Sequence, residues 1–163
     1  MRRILAAIAI AVISTTATAE PVRWGGDLYS FTTICDGKTR VGYFSHLQAG
    51  PARMIAWQHV LKPITRGDGV MPTEPQNAVV MIRMQLARKP SPTGFTQIID
   101  LEELGIRMRQ GIPEIPLHTH DPGNAWVDIT EGTTIATWVR CIPINAATEG
   151  QSLVYSLKAW WNW

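Results

Sequence analysis

Apolar and polar residues alternate with a period of two along most of this chain, which is the spacing of side chains on a β-strand. The clearest segment is AVVMIRMQLA, residues 78–87, in which Val80, Ile82, Met84 and Leu86 fall on one face. Clusters of proline, glycine, asparagine and aspartate separate eight or nine such segments. This pattern predicts an all-β fold, an antiparallel sandwich of two sheets.

Two local signals add detail to this prediction. Segment 28–35 ends at Asp36-Gly37 and is followed by a second alternating segment, which predicts a β-hairpin. Residues 100–104, DLEEL, are the only stretch that favours a helix, of one or two turns. Glu102 and Glu103 lie in this stretch, and because adjacent side chains diverge we expect a solvated pair rather than a catalytic one.

The first nineteen residues have the pattern of an export signal. Arg2 and Arg3 precede the apolar run ILAAIAIAVI, and Ala17-Thr18-Ala19 supplies the small residues of a cleavage site. The run is too short to span a membrane as a helix, and no later stretch is long and apolar enough. We therefore expect residues 1–19 to be removed and residues 20–163 to form a single exported domain without a membrane span.

Charge and composition exclude nucleic-acid binding as the expected function. The full chain has 15 basic and 13 acidic residues, and two of the arginines lie in the expected signal. The remaining domain is electrically neutral, and it lacks the basic stripe that binds nucleic acid.

Cys35 and Cys141 are the only two cysteines, and both lie in the expected exported domain. Two cysteines in an exported protein most simply form a disulfide. The bond would close a loop of roughly 100 residues and contribute about 4–5 kcal/mol in the chain-entropy model. Neither cysteine has the neighbours that make a thiolate reactive, so we expect a structural pair.

The C-terminal segment LVYSLKAWWNW, residues 153–163, alternates without a break. Its apolar face carries Leu153 followed by every second residue: Tyr155, Leu157, Ala159, Trp161 and Trp163. β-Branched and aromatic residues favour a strand over a helix here. Trp160 and Trp161 are adjacent, so on a strand they face opposite sides, and Trp160 becomes a candidate ligand platform.

Two histidines at a spacing of two, His118 and His120, are candidate metal ligands in IPLHTHDPG, because on a strand both imidazoles point the same way. No further ligand follows at a recognisable spacing, and His59 has no evident partner. The sequence therefore favours the polar tip of a loop, and a metal site at His118 and His120 is the alternative. Hydrolase and phosphate-binding motifs are absent from the sequence, so we expect a non-enzymatic protein without catalytic residues or a cofactor.

The export signal, the single β-domain, the late cysteine partner ("FTTIC" and "TWVRC") and the aromatic final strand together resemble subunits of Gram-negative chaperone–usher fimbriae. The nearest likeness is to tip-located invasin subunits of the Afa/Saf type. The segment LGIRM, residues 104–108, is similar to a strand common in pilins. Residues 20–27, EPVRWGGD, lack an alternating donor arm, which implies either a tip or terminal subunit of that family or a chain that is not a fimbrial subunit.

The resemblance implies an immunoglobulin-like sandwich that lacks one strand and is completed by a strand from another molecule. Its partners would be a periplasmic chaperone, an usher, neighbouring fimbrial subunits and a host receptor, and its location the periplasm and then the cell surface. The residues that it implies as the edge of the open groove are Tyr155, Leu157, Ala159, Trp161 and Trp163. The alternative function is a self-contained periplasmic or secreted binding module, with metal bound through His118 and His120.

Overall fold

The computed structural model describes residues 23–45, 52–65, 75–88, 97–120, 127–129 and 132–162. The expected signal, residues 1–19, and Trp163 lie outside this part of the chain. The described residues form one 3₁₀ turn, Ala146–Thr148, and the strands β1 (Arg23–Ile34), β2 (Thr39–Ser45), β3 (Ala52–Leu61), β4 (Ala78–Arg88), β5 (Gln97–Arg109), β6 (Ile112–Pro113), β7 (Leu117–His120), β8 (Val127–Ile129), β9 (Thr134–Pro143) and β10 (Ser152–Asn162). No helix among them is long and apolar enough to cross a membrane.

The strands form two antiparallel sheets. Sheet A has the order β1-β10-β3-β7, and β8 also pairs with β3. Sheet B has the order β2-β9-β4-β5-β6. The predicted antiparallel two-sheet sandwich is confirmed.

The strands pair in a nested order along the chain. The outermost pair is β1 with β10, followed inward by β2 with β9, by β3 with β7 and β8, and by β4 with β5. Successive pairs alternate between sheet A and sheet B. The prediction of an immunoglobulin-like sandwich is confirmed in that the strands form two packed antiparallel sheets with one disulfide. The order of the strands within the sheets is that of a jelly roll.

The core lies between the sheets and follows the alternation in the sequence. On β4, the predicted inward face is buried: Val80, Ile82, Met84 and Leu86 are at most 1% exposed. On β3 the buried residues are Met54, Trp57, His59 and Leu61. The uneven spacing between Met54 and Trp57 reflects a bulge, because the pairing of β3 with β10 shifts register there.

The disulfide between Cys35 and Cys141 is confirmed. Its S–S distance is 2.02 Å and both residues are fully buried. Cys35 follows the last residue of β1 and Cys141 lies in β9, so the bond links sheet A to sheet B.

The predicted hairpin at Asp36-Gly37 is wrong, although the turn itself exists. Gly37 has a φ of +72°, and the backbone N–H of Lys38 donates to Asp36 Oδ1 at 2.9 Å. The turn leads from β1 in sheet A to β2 in sheet B, and these two strands do not pair with each other. Turn residues specify a local reversal, whereas the pairing here is decided by β10 and β9.

The predicted helix at residues 100–104 is also wrong, because this segment is the middle of β5. Its glutamates and leucines have good helix propensity. Thirteen residues of strand paired along the length of β4 outweigh that weak local preference.

The C-terminal strand is the largest departure from expectation. β10 is a strand, as predicted, and its apolar face is buried, with Leu153, Tyr155, Leu157 and Ala159 at 0% and Trp161 at 4% exposure. However, β10 pairs with β1 along one edge and with β3 along the other. The described residues of the predicted docking strand therefore line the closed core, and the expectation of an open groove beside this strand is not met.

A tight turn after β5 and a glycine on β2 each restrict which residues the sequence can have there. Arg109 pairs with Ile112, so Gln110 (φ 51°) and Gly111 (φ 75°) form a two-residue turn with both residues in the left-handed region. Gly42 on β2 lies against the ring of Phe31, and a Cβ at Gly42 would come within 2.6 Å of that ring. A side chain at Gly42 would displace part of the core.

Candidate functional site

One margin of the core brings together a tryptophan and three histidines from two neighbouring strands of sheet A. Trp57 on β3 pairs with His120 on β7, and His59 pairs with His118. Paired residues project on the same face of a sheet, so these four side chains lie together. The His120 and Trp57 rings stack with their centroids 4.3 Å apart.

Glu102 reaches these four side chains from β5 in the opposite sheet. Its Oε2 accepts hydrogen bonds from Trp57 Nε1 at 2.7 Å and from His59 Nε2 at 3.0 Å. Its Oε1 accepts one from His118 Nε2 at 2.7 Å, and His120 Nδ1 lies 3.6 Å away. We refer to Glu102, Trp57, His59, His118 and His120 as the Glu102 cluster.

Glu102 is ionised in this environment. Burial opposes its ionisation, but the hydrogen bonds from His59 and Trp57 outweigh that effect and hold the pKa of Glu102 at about 2. A carboxylate can only accept hydrogen bonds. His59 and His118 therefore each present an N–H at Nε2 to the carboxylate.

His59 extends the hydrogen bonds into the core. Its Nδ1 lies 2.6 Å from the hydroxyl of Tyr155 on β10. Burial raises the pKa of Tyr155 well above its ordinary value, so the hydroxyl keeps its proton. His59 thus contacts Tyr155 through Nδ1 and Glu102 through Nε2. A chain of hydrogen bonds therefore runs from Tyr155 through His59 to the Glu102 carboxylate.

The cluster joins the two sheets at the margin of the sandwich. All of its donors belong to β3 and β7 in sheet A, while the acceptor belongs to β5 in sheet B. Hydrogen bonds to a charged acceptor are about twice as strong as bonds between neutral groups. His118 and His120 are each about one-third exposed, whereas the His59 side chain is completely buried. The cluster therefore holds the two sheets together, and one of its sides faces the solvent.

The two candidate metal ligands converge on a carboxylate. His118 and His120 lie on a strand, so the expectation of a loop tip is wrong for these two residues. His118 Nε2 donates its hydrogen to Glu102 and so has no lone pair for a metal ion, whereas Nδ1 of the same ring does not take part in this bond. Among the residues that the structure describes, no group of three or more histidine, cysteine, aspartate or glutamate side chains is arranged to hold a metal ion.

Sequence reasoning found His118 and His120 but missed His59, Trp57 and Glu102 as their partners. Glu102 was expected on a solvated face, yet its side chain is only 11% exposed. The available signal was the spacing: Trp57 and His59 are two apart on an apolar strand, as are His118 and His120. Such matched spacing indicates two strands whose polar positions pair.

Trp160 and Trp161 face opposite sides of sheet A, as predicted. Trp161 is in the core, whereas Trp160 is half-buried on the outer face, where its ring covers Gly25 of β1. A role for Trp160 as a ligand platform stays a prediction.

No protein-family model, no curated protein and no solved structure matches this chain.

Proposed function

We propose that this protein is a self-contained, exported binding module. The observation that carries the proposal is the position of β10, which is hydrogen-bonded to β1 and to β3 within one chain. A sandwich whose last strand is enclosed on both edges needs no strand from a partner beside it. The buried disulfide and the Glu102 cluster close the same sandwich covalently and electrostatically.

Export is supported by the signal-like first nineteen residues and by the disulfide. Disulfides persist in oxidising compartments such as the periplasm and the extracellular space. A disulfide that links the two sheets fixes the fold only after oxidation, so the protein would complete its folding outside the cytoplasm.

The test is expression of the full-length chain with its own leader, followed by purification from the periplasm. We expect an N-terminus at Glu20, a monomer by light scattering, and cooperative thermal unfolding in the absence of any other protein. Aggregation that is relieved only by a co-purifying chaperone would reject the proposal and favour a fimbrial subunit. In that case a strand would have to be donated at an edge other than those of β10.

The metal-binding form of this module makes a separate prediction. If His118 and His120 bind zinc or copper, adding the metal raises the thermal midpoint, and replacing both histidines by alanine removes that rise. An unchanged midpoint would reject metal binding at this pair. A rise that depends on both histidines would show that the Glu102 cluster rearranges around a metal ion.

A further inference from the structure

The outer face of sheet B carries a half-buried tryptophan, Trp138, in a cavity of about 520 Å³. Trp138 on β9 lies between Val41 on β2 and Arg83 on β4, to which it is directly paired. Its neighbours Val139 and Thr137 point inward and are fully buried. Trp138 therefore contributes to a surface and not to the core, and the cavity has a size typical of sites for small ligands.

The polar side chains around Trp138 are held in fixed orientations. Asp100 on β5 accepts hydrogen bonds from Arg83 Nη2 at 2.9 Å and from Gln85 Nε2 at 2.5 Å. These hydrogen bonds keep the pKa of Asp100 below its ordinary value, with the one from Gln85 as the larger cause. The guanidinium and the amide are thereby oriented before any ligand arrives, which reduces the entropy lost on binding.

The charges in this region balance. Arg83, Arg140 and Glu103 line the cavity, and Asp100 pairs with Arg83 beside it, so these four side chains together have no net charge. A nucleic acid or another polyanion would require an excess of positive charge. The centre of a protein–protein interface is usually depleted in charged residues, whereas Trp138 is surrounded by charged residues. This arrangement does not favour a protein partner.

We propose that the outer face of sheet B around Trp138 binds a neutral oligosaccharide, an inference that rests on the proposed binding function. The C–H bonds on one face of a pyranose ring are weakly positive and stack on the negative face of an indole. The ring hydroxyls both donate and accept, and they match the planar guanidinium, amide and carboxylate groups of Arg83, Gln85 and Glu103.

A second aromatic residue extends the site along the sheet. Tyr43 is two residues beyond Val41 on β2, so both lie on the same outer face, and its side chain is 71% exposed. Residues diagonal to each other on paired strands are about 7–8 Å apart at Cα, within reach of aromatic side chains. Tyr43 thus offers a second stacking surface for the next sugar of a chain, which favours an oligosaccharide over a single sugar.

The proposal is tested on the full chain purified from the periplasm, with cellohexaose, maltohexaose, mannohexaose and chitohexaose as probes. Isothermal titration and tryptophan fluorescence measure binding, and light scattering with thermal unfolding confirms a folded monomer. We expect at least one hexasaccharide to bind with a Kd below about 1 mM. If none of the four binds to a folded monomer, the oligosaccharide proposal is wrong, while the proposal of a self-contained exported module stands.

Variants then locate the site. Trp138→Ala is expected to weaken binding about tenfold or more, and Arg83→Ala, at an exposed position on the same face, about fivefold. Lys158→Ala, on the outer face of sheet A, serves as the control and should change Kd within about twofold. If Trp138→Ala and Arg83→Ala both bind like the wild type, the site is elsewhere. Loss of binding on Trp160→Ala alone would place the platform on sheet A instead.

Discussion

Replacing Glu102 by glutamine measures how much the Glu102 cluster stabilises the fold. The pKa of Glu102 is about 2 in the folded protein, against an ordinary value of 4.5. At about 1.4 kcal/mol per pH unit, this difference corresponds to roughly 3 kcal/mol in the free energy of unfolding. The glutamine would also bring an NH₂ group among three N–H donors, where it cannot accept from all of them.

The pH dependence follows from the sign of the difference. Because the folded-state pKa is depressed, the contribution of Glu102 is fully present above the unfolded value of about 4.5 and is lost as the pH falls through about 2. The difference in the free energy of unfolding between the wild type and Glu102→Gln should therefore narrow as the pH falls below about 4.5.

The assay is urea unfolding followed by tryptophan fluorescence at a series of pH values from 7 to 3. Glu103→Gln is the matched control: it removes the same charge at the adjacent, exposed position, and it should change the free energy of unfolding by less than about 0.5 kcal/mol. A loss below about 1 kcal/mol for Glu102→Gln at pH 7, or a gap that does not narrow in acid, would refute the electrostatic reasoning.

Three further changes test the fold. Removing the disulfide with Cys35→Ser and Cys141→Ser should lower the free energy of unfolding by about 4–5 kcal/mol, since it releases a loop with a sequence separation of 106; an unchanged urea midpoint would contradict this. Gly42→Ala should destabilise by about 1–3 kcal/mol, because the new Cβ overlaps the Phe31 ring; a stable variant would show that the ring moves freely. Gln110→Gly should stabilise by about 0.5–1 kcal/mol, because its φ of 51° is strained for any residue with a Cβ; thermal unfolding checks the sign.

The features that the sequence predicts correctly depend on the order of neighbouring residues or on the number of cysteines. The inward face of β4 follows from alternation alone, and the disulfide follows from having two cysteines in an exported chain. The opposite orientations of Trp160 and Trp161 follow from the geometry of any strand.

The features that sequence reasoning missed depend on which strands pair. His59 meets His118 only because β3 lies beside β7, and Glu102 meets both only because β5 faces them across the core. A helix was expected around Glu102 because local propensity carries no information about β4. Likewise, the alternation of β10 predicts a buried face and says nothing of whether the strand's edges are occupied.

The place of β10 in sheet A also determines when this protein can fold. β1 pairs with residues that are far away in the sequence: Trp24 is opposite Trp161, and Phe31 is opposite Tyr155. β3 can pair with β7 and β8 first, but β1 gains its neighbour in sheet A only when β10 is present. Contacts so distant in sequence make folding slow and leave early strands unpaired for a time. Removal of residues 152–162 would therefore separate β1 from β3, because β10 lies between these two strands in sheet A.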